Sequence, residues 1–474
     1  MKKTVFIITD HGLAIIYFLK SDVINKLLEK GIRAVVFVDD QILESIESQF
    51  DSDNLIFEGL RLKEAKNYWK NYRPSIQYWL DFLRRAGASN KINLEAVDSY
   101  IDQVRVEMKG NANKLFPLIM FLVKTLRNLK IARKMLVSLQ SLFSPQIYTD
   151  LFDKYQPEMV IGSSPGWRYD KYMLREAAAR KVKTTTAIIG WDNTSSYSLP
   201  GAKMNYAICW SELQKEELLK GSDWQADQVF IGGIPSYDGY INKKWLIGKE
   251  KYYQMHGLDP QRKLITYAAS FLTFSPNIQN MKALADLVTG NELIEDCQLL
   301  IRLHPNHFMD DPRFIWEKEQ VDALVTSHPH LHVVEPASLG GDMGHYSGED
   351  MDEKSSMMEY ADIFTTVYST MVVEASVHDS PVVSICIDAE EGWKKNFYLP
   401  LSKVGGWPTH QRFRESGSGP VALDKNTLKK HINAYLKNPN QDDLVRKDFL
   451  KREITITDGS AGNQVGELLL GLIG

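Results

Sequence analysis

The sequence has little cysteine and no long uninterrupted apolar run. Its three cysteines lie far apart in apolar, strand-like stretches, which argues against a disulfide framework and against the close ligand spacing of a metal site. No stretch of about 18 apolar residues occurs, so we expect no transmembrane helix. The apolar stretch Val5–Thr9 behind the N-terminal lysines is too short for a signal peptide. These absences predict a cytoplasmic protein. The cysteines are Cys209, Cys297 and Cys386.

Excess positive charge is also missing. Lysine and arginine number 56 against 60 aspartates and glutamates, a net charge of −4, which argues against a nucleic-acid-binding protein. Acidic residues are absent from 109 to 149, where lysines and arginines alternate with apolar residues. Such a segment can form a cationic amphipathic helix on an anionic membrane surface. The alternative is a core-packing helix whose solvated face is basic.

Short apolar strands and helical stretches alternate in two successive blocks. Val5–Thr9, a helical stretch ending at Gly31, and Ala34–Val38 form a βαβ unit of a parallel sheet covered on both faces. The alternation returns after Met159 and restarts at Leu264. The sequence therefore predicts an α/β chain of two Rossmann-like blocks, with the ligand in the cleft at the carboxyl ends of the strands.

The predicted domains follow from this alternation. Residues 1–240 form an N-terminal Rossmann-like domain, interrupted at about 60–150 by a helical insertion, and residues 241–460 form a second one. Residues 461–474 form a terminal helix. We expect the acceptor in the first domain and a nucleotide-activated donor in the second.

A histidine-proline turn follows a predicted strand of the second block. Pro305 stiffens the turn that leaves the strand after Arg302, and His304 can donate a hydrogen bond to a phosphate. Ser270 begins the loop after another strand of the same block. We predict that Arg302, His304, Pro305 and Ser270 bind the donor.

A second candidate segment is the hydroxyl-rich turn Tyr368-Ser369-Thr370. It joins a strand to a helix, and hydroxyls with free backbone N–H groups at a helix start can bind an anion. Glu374 follows one turn later, where a carboxylate could accept ribose hydroxyls. We predict that all four residues bind the donor. The alternative is that Ser369 or Thr370 only caps the helix and Glu374 is solvated.

These segments together resemble the donor half of GT-B glycosyltransferases. The likeness rests on His304-Pro305, Ala361-Asp362 with Tyr368-Ser369-Thr370, Ser380-Pro381-Val382-Val383 and Asp458-Gly459-Ser460-Ala461. It covers about residues 260 to 465 and is strongest to CDP-glycerol glycerophosphotransferases of teichoic acid synthesis and to His-Pro-motif sialyl- and Kdo-transferases. It implies that His304 and the Ser369–Thr370 pair hold the phosphate of a CMP or CDP donor.

Two features stand apart from that resemblance. Val367 precedes Tyr368 where the phosphotransferases usually have aspartate, which weakens that assignment more than the fold. The segment Gly340–His345 predicts a flexible loop that closes over a nucleotide base, or a loop without a role.

In the first block, two strand-end segments supply candidate catalytic groups. Trp191-Asp192-Asn193 combines a ring that can stack on a sugar with a carboxylate and an amide. Asp192 is the first candidate for a general base or nucleophile, and the alternative is a carboxylate that caps its own loop. Asp10-His11 is the second candidate, because histidine can transfer protons at neutral pH. Trp191, Asn193, Trp167 and Arg168 are the predicted acceptor contacts.

The resemblance and the residues together predict a GT-B protein of two facing Rossmann-like domains that transfers a sugar from a pyrimidine nucleotide to a saccharide or lipid-linked acceptor. No Asp-x-Asp or metal triad was found among these segments, so we expect no metal and no cofactor beyond the nucleotide-sugar substrate. Its place would be cell-surface polysaccharide synthesis at the inner membrane face. The alternatives are a CDP-alditol phosphotransferase, a nucleotide-sugar epimerase of the same fold, and a non-catalytic nucleotide-sugar-binding partner of another transferase.

Overall fold

The chain divides into two compact units. The computed structural model describes residues 2–108, 112–270, 275–337, 349–390, 393 and 398–474. Unit 1 comprises Met1–Asp238 together with Ile454–Gly474, and unit 2 comprises Gly239–Ser338 together with Glu349–Glu453. Within the described residues, the chain leaves unit 1 after Asp238 and returns to it at Ile454.

The described residues of unit 1 form a seven-stranded sheet. The strands are β1 (Thr4–Ile8), β2 (Arg33–Val38), β3 (Leu55–Gly59), β4 (Met159–Gly162), β5 (Lys183–Ala187), β6 (Tyr206–Cys209) and β7 (Val229–Ile231). They pair in the order β3-β2-β1-β4-β5-β6-β7, all in parallel. At its centre Phe6 pairs in register with Val35 and with Val160. All three are buried, as expected for a parallel sheet covered on both faces.

Helices cover this sheet and fill the long connection between β3 and β4. Those of the first half are α1 (Gly12–Leu19), α2 (Asp22–Glu29), α3 (Leu43–Glu47), α4 (Leu62–Asn71), α5 (Pro74–Ala86), α6 (Glu95–Glu107), α7 (Ala112–Asn128), α8 (Lys130–Gln140), α9 (Thr149–Tyr155), α10 (Asp170–Ala179), α11 (Asn193–Ser196) and α12 (Glu212–Ser222). Between β3 and β4, α5 to α8 share a small apolar core of their own around Phe82, Val97 and Val123.

The described residues of unit 2 form a six-stranded sheet. Its strands are β8 (Lys263–Ala268), β9 (Cys297–Arg302), β10 (Leu331–Val334), β11 (Ile363–Thr366), β12 (Val382–Ile385) and β13 (Val421–Ala422). The order is β10-β9-β8-β11-β12-β13, again all parallel. The remaining helices of the chain are α13 (Asp238–Ile241), α14 (Lys249–His256), α15 (Ile278–Thr289), α16 (Pro312–Val325), α17 (Met351–Tyr360), α18 (Met371–Val377), α19 (Leu401–Val404), α20 (Pro408–Ser416), α21 (Lys425–Lys437), α22 (Asp443–Ile454) and α23 (Ala461–Ile473).

Each sheet has a point where the strand order reverses. In unit 1 it lies between β1 and β4, and in unit 2 between β8 and β11. In open α/β sheets, ligands bind outside the carboxyl ends of the strands at this switch point. The prediction of an α/β chain with two Rossmann-like sheets is confirmed, and the two switch points are where candidate sites belong.

The cysteines and the most apolar helices also bear on the sequence expectations. All three cysteines are free and buried. Burial raises the pKa of the Cys297 thiol to about 12, so it is no reactive thiolate at neutral pH. Among the helices of the described ranges, none is both long and apolar enough to cross a membrane.

Candidate functional site

At the switch point of unit 1, a buried aspartate holds a histidine. Strand β1 ends at Ile8, and two residues later Asp10 is fully buried. Its Oδ1 lies 2.7 Å from His11 Nδ1 and accepts a hydrogen bond of 2.6 Å from the Ser163 hydroxyl. Ser163 follows β4, so these bonds join the loops on both sides of the switch point. The His11 side chain remains 12% exposed.

The charges around this pair set its protonation. Burial lowers the pKa of His11, and the Arg168 cation lowers it further, against the opposing effect of Asp10. Burial works to raise the pKa of Asp10, but the His11 hydrogen bond, the charge that His11 carries when it is protonated at low pH, and the Arg168 cation outweigh burial and hold this pKa below its usual value. At neutral pH the pair is therefore a carboxylate beside a neutral imidazole. With Nδ1–H donated to Asp10, Nε2 carries the lone pair that can take a proton.

A second buried aspartate, Asp170 at the start of α10, shapes the loop after β4. It accepts backbone hydrogen bonds from Ser164 at 3.1 Å, Gly166 at 3.3 Å and Arg168 at 3.1 Å, and a 2.8 Å bond from the Ser164 hydroxyl. Burial, reinforced by the charge of Asp10, raises the pKa of Asp170 to about 7. Sequence reasoning missed Asp170, although an aspartate at the start of a helix behind a serine-rich loop is a usual sign of such capping.

The two predicted acceptor contacts in this loop differ in environment. Trp167 is buried, stacks on Tyr197 at 5.3 Å and donates its Nε1–H to the Leu199 carbonyl at 3.1 Å. Its ring therefore packs inside unit 1 and offers no face to a sugar. Arg168 is half-buried, and its guanidinium has no ion-pair partner within the described ranges. It stays available for an anion close to His11.

The segment after β5 is organised by its own turn. Trp191 is 1% exposed, so the predicted ring face for a sugar is not available. Asn193 Oδ1 accepts the Gly190 N–H at 2.8 Å, and Asp192 accepts the Ser196 hydroxyl at 3.0 Å while preceding α11. The Asp192 side chain makes no capping hydrogen bond to the backbone of α11, and its half-buried carboxylate remains a candidate.

In unit 2, the histidine-proline turn leaves β9 with a defined ring orientation. His304 Nδ1 accepts the backbone N–H of Asn306 at 3.2 Å, and Pro305 opens a one-turn 3₁₀ helix, Pro305–Phe308. Because Nδ1 accepts, the proton of the neutral ring lies on Nε2, which becomes a hydrogen-bond donor. That is the property an anion site requires.

A buried glutamate supports this turn from α16. Glu317 lies 3.1 Å from His307 Nε2 and accepts the backbone N–H groups of Asn277 and, at 2.8 Å, Ile278. It therefore ties the turn after β9 to the segment that follows β8. No local pattern in the sequence indicates this role, because the partners lie 10 and about 40 residues away.

The hydroxyl-rich turn after β11 has two partly exposed side chains and one buried side chain. Ser369 and Thr370 are half-buried, and Ser369 Oγ accepts the Met371 N–H at 3.3 Å. Tyr368 is buried and stacks on His410 at 5.2 Å, so it supports the turn from inside. Ser270 follows β8 and is half-buried. Since β9, β8 and β11 are neighbours, the loops that carry His304, Ser270 and Ser369 leave from one edge of the sheet.

Two predicted donor contacts are engaged in buried ion pairs. The Arg302 guanidinium contacts Asp350 at 2.5 Å and also Glu353. The Glu374 carboxylate pairs with Lys354 and accepts the Tyr240 hydroxyl at 3.1 Å. Arg302 and Glu374 are almost fully buried, and a buried charge needs such a partner. Both residues therefore lie in the interior of unit 2, and their charges are compensated within that unit.

The terminal small-residue turn connects α23 to the rest of unit 1. Ser460 bonds to Asp458, and the N–H groups of Ala461 and Gly462 donate to Asp238 at 3.1 and 2.6 Å. Burial raises the pKa of Asp238 to about 6. This motif therefore anchors α23 to Asp238.

Two further predictions concern the loop Gly340–His345 and the absence of a metal site. The loop Gly340–His345 lies outside the described residues. A group of three or more His, Cys, Asp or Glu side chains able to hold a metal ion was not found in the described part of the chain.

Two parallel Rossmann-like sheets are compatible with the GT-B class of α/β proteins, and solved structures of that fold match almost the whole chain. A UDP-GlcNAc 2-epimerase from Neisseria meningitidis is 15% identical, with 99% of this chain and 100% of that chain covered at a TM-score of 0.53. The UDP-GlcNAc 2-epimerase from Methanocaldococcus jannaschii is 12% identical, with 99% and 100% covered at 0.54. A glycosyltransferase from Rickettsia africae is 11% identical, with 100% and 98% covered at 0.50. At these identities the matches show the fold alone, and they confirm the GT-B prediction.

Residues 171–471 match the family CDP-Glycerol:Poly(glycerophosphate) glycerophosphotransferase, and the chain belongs to this family. No curated protein matches the sequence. The family is one of transferases of cell-envelope polymer synthesis, so the resemblance drawn from the His-Pro and Tyr-Ser-Thr motifs is confirmed. Val367, the departure from the phosphotransferase pattern, does not remove the chain from the family. It is buried in an apolar cluster with Cys386 and Leu401.

Proposed function

We propose that this chain transfers a phosphorylated polyol such as glycerophosphate from a CDP-activated donor to a hydroxyl of a saccharide or lipid-linked acceptor. The observation that carries the proposal is the Asp10–His11 pair at the unit 1 switch point, a positioned neutral imidazole of the kind general-base catalysis requires. Family membership supports the donor class, because the family's own name specifies CDP-glycerol and poly(glycerophosphate).

The reaction is a substitution at phosphorus. The acceptor oxygen attacks the phosphorus that carries the polyol, and the bond from that phosphorus to the bridging oxygen breaks. CMP leaves with the bridging oxygen, and His11 Nε2 takes the proton of the acceptor hydroxyl. Asp10 holds the ring through Nδ1 and stabilises the imidazolium that forms. Arg168 provides a cation beside this histidine for phosphate charge.

Unit 2 supplies the donor contacts in this proposal. His304 Nε2–H and the hydroxyls of Ser369 and Thr370 donate to the diphosphate from loops at one sheet edge. These donors stabilise the leaving phosphate, so we propose that the transfer needs no metal ion. Ser270 lies in the loop at the same edge and is the fourth candidate.

Sugar transfer from a nucleotide sugar is the competing interpretation, and the fold is compatible with both. The family match favours the polyol phosphate. The two differ in what is released and joined: phosphotransfer from a CDP-polyol leaves CMP and a new phosphodiester, whereas sugar transfer from a nucleoside diphosphate sugar leaves a nucleoside diphosphate and a glycosidic bond.

A donor panel tests the proposal. Thermal unfolding of the full chain is followed with CMP, CDP, CDP-glycerol, UDP and a UDP-sugar, because a ligand of the folded state raises the midpoint. CDP-glycerol and the cytidine nucleotides should stabilise wild type but not His304→Ala. Turnover of CDP-glycerol to CMP should persist with EDTA.

The matched control is His328→Ala. His328 Nδ1 also accepts the N–H two residues on, from His330 at 3.3 Å, but it precedes β10 and so lies at the amino end of the sheet. This variant should keep the nucleotide shift. Stabilisation by a UDP-sugar alone would favour sugar transfer, and no shift by any nucleotide would overturn the donor assignment.

A further inference from the structure

A buried lysine in the first turn of α10 has no charged partner. The Lys171 side chain is 7% exposed, and it makes no hydrogen bond or ion pair with any residue in the described ranges. Its ammonium nitrogen lies 4.3 Å from the centroid of the Trp69 ring on α4 and 5.5 Å from that of the Tyr172 ring. Such rings attract an ammonium group but give its three N–H donors no acceptor atom. Lys171 therefore keeps its hydrogen-bonding capacity for another group.

A buried arginine follows Lys171 one helical turn later. Arg175 is 4% exposed and donates its hydrogen bonds to neutral groups. They are the Gly201 and Phe143 carbonyls, both at 2.8 Å, and the Gln140 side chain at 3.0 Å. The guanidinium is therefore hydrogen-bonded but not neutralised, and its positive charge acts on the Lys171 amine.

The carboxylate of Asp81 on α5 compensates only part of this charge. It accepts the Nε–H of the buried Arg84 at 3.0 Å. Against the effect of burial, the charges of Arg84 and Lys171 lower the pKa of Asp81 to about 2, so it is fully ionised. Asp170 is bonded to the loop after β4, and its pKa of about 7 leaves it only partly ionised at neutral pH. Positive charge is therefore in excess in the α5–α10 charge cluster, which we define as Lys171, Arg84, Arg175 and Asp81.

Excess positive charge in a protein interior is costly, because the interior solvates an ion poorly. The cost is visible at Lys171, where burial lowers the pKa of the amine to about 8 against the opposing effect of Asp81. At neutral pH the amine is still mostly protonated. A bound phosphate group would supply both the missing negative charge and acceptor atoms for the N–H groups of this lysine.

The place of Lys171 in the fold relates the α5–α10 charge cluster to the Asp10–His11 pair. Helix α10 follows β4, so its first turn lies at the carboxyl edge of the unit 1 sheet, as does His11 after β1. Arg168, three residues before Lys171, acts on His11 through its charge. The Trp69 ring is half-buried and so partly open to a ligand, whereas the two tryptophans that the sequence suggested as acceptor contacts are buried.

We propose that Lys171 and Trp69 form an acceptor subsite of unit 1, in which the Lys171 ammonium binds a phosphate ester of the acceptor. The exposed part of the Trp69 ring lies against the polyol or sugar that carries this ester. The assignment to the acceptor rests on the proposed function, in which a hydroxyl of the same acceptor meets His11. The subsite belongs to unit 1 alone and is independent of the donor contacts of unit 2.

Calorimetric titration of the full chain with sn-glycerol 3-phosphate, sodium phosphate and glycerol tests the subsite without turnover. Wild type should bind the ester, bind inorganic phosphate more weakly and ignore glycerol, and binding should weaken as salt rises. Lys171→Met should lower the affinity for the ester about tenfold or more, because a charge-assisted hydrogen bond is lost. Lys171→Arg should keep most of it. Between pH 7 and about pH 9.5 wild type should lose affinity as the amine deprotonates, whereas Lys171→Arg should not.

The matched control is Lys154→Met. Lys154 also lies over an aromatic ring, 4.4 Å from the Tyr155 centroid, but it is 60% exposed and pairs with Glu58 at 3.1 Å. This variant should bind the ester like wild type. Because replacing a buried unpaired charge by an apolar side chain does not destabilise a fold, Lys171→Met should keep the melting midpoint of wild type. Its shift with CDP-glycerol should also be unchanged, which separates failure of this subsite from failure of the donor site.

The ring provides a second, independent arm of the test. Trp69→Leu should weaken binding of sn-glycerol 3-phosphate more than binding of inorganic phosphate, because only the ester carries a polyol. The proposal is overturned if wild type does not bind the ester or if Lys171→Met binds it equally well. Equal affinity for the ester and for inorganic phosphate, with no effect of Trp69→Leu, would show a site for free phosphate and would overturn the acceptor role.

Discussion

At the scale of single residues, Asp10 and Arg168 act on His11 in opposite directions. Burial and Arg168 lower the pKa of His11, and Asp10 raises it. A general base works in its neutral form, so the rate falls as pH drops through its pKa in the free enzyme. The acid limb of kcat/KM against pH should therefore lie below the usual histidine value of 6.5.

This balance makes a paired prediction. Arg168→Met removes the cation and should move the acid limb to higher pH. Asp10→Asn removes the carboxylate and should move it to lower pH while reducing kcat about a hundredfold or more, because the ring loses its orientation. His11→Gln should reduce kcat at least as much and remove the limb. If the acid limb of kcat/KM against pH lies at the same pH in wild type and in all variants, His11 is not the general base.

Val367 offers a second test at this scale. The resemblance to phosphotransferases leads one to expect aspartate there, but the side chain is buried among apolar neighbours. Val367→Asp should lower the free energy of unfolding by roughly 3 kcal/mol or more, because a carboxyl would be buried without a partner. Val367→Ala, which only opens a cavity, should cost less. Denaturant unfolding measures both. An aspartate variant of unchanged stability and higher activity would place this side chain in the donor site.

The positions of candidate residues in the fold were predictable only where local sequence decides them. Asp10-His11 and His304-Pro305 are adjacent pairs behind apolar strands, so the sequence places them at sheet edges. The buried ion pair of Arg302 was not predictable, because its partner Glu353 lies 51 residues further along the chain. The burial of Trp167 and Trp191 likewise depends on contacts that no local pattern contains.

At the scale of elements, the contact between the Asp238 carboxyl and the start of α23 should make the stability of unit 1 depend on pH. Burial raises the folded-state pKa of Asp238 from 3.8 to about 6, so its contribution to stability is complete below pH 3.8 and is lost as pH rises through about 6. The amide introduced by Asp238→Asn cannot titrate. The stability difference between wild type and Asp238→Asn should therefore shift in favour of the variant by roughly 2 kcal/mol between about pH 4.5 and about pH 7.5.

The control lies in the same turn. The Ser460 hydrogen bond lowers the pKa of Asp458, so that residue stays ionised in both states across this pH range, and Asp458→Asn should show no such trend. Chemical denaturation at several pH values measures both. If the stability difference between wild type and Asp238→Asn instead shifts in favour of wild type as pH rises, the two N–H groups lower the pKa of Asp238 by more than burial raises it.

Strands and helices were the most predictable elements. The run predicted as Val5–Thr9 is observed as Thr4–Ile8, because apolar periodicity and turn residues are local signals. For the acid-free segment 109–149, the sequence allowed either a core-packing helix or a cationic amphipathic helix. The structure shows why it allowed both, because α7 and α8 pack into a core and also expose apolar side chains.

At the scale of the whole molecule, the proposed donor contacts lie in loops at the carboxyl edge of the unit 2 sheet. Hydrogen exchange with CDP-glycerol should therefore show protection in peptides that cover 265–270, 302–308 and 366–372. Peptides of the amino ends of the same strands should not change, and they serve as the internal control. Protection that appears there instead would contradict a site at the carboxyl edge. The sequence predicted two blocks but not this strand order, because order depends on pairing between distant segments.

The route of the chain has a consequence for its synthesis. Unit 2 is inserted after Asp238, and α23, which covers part of unit 1 with Val465 and Leu469, is translated only after it. At ordinary translation rates the ribosome needs on the order of ten seconds or longer for that insertion. During this time unit 2 can fold, while the apolar surface under α23 stays open to water. Unit 1 is therefore completed after unit 2, and its nascent form is the one that exposes apolar surface for longer.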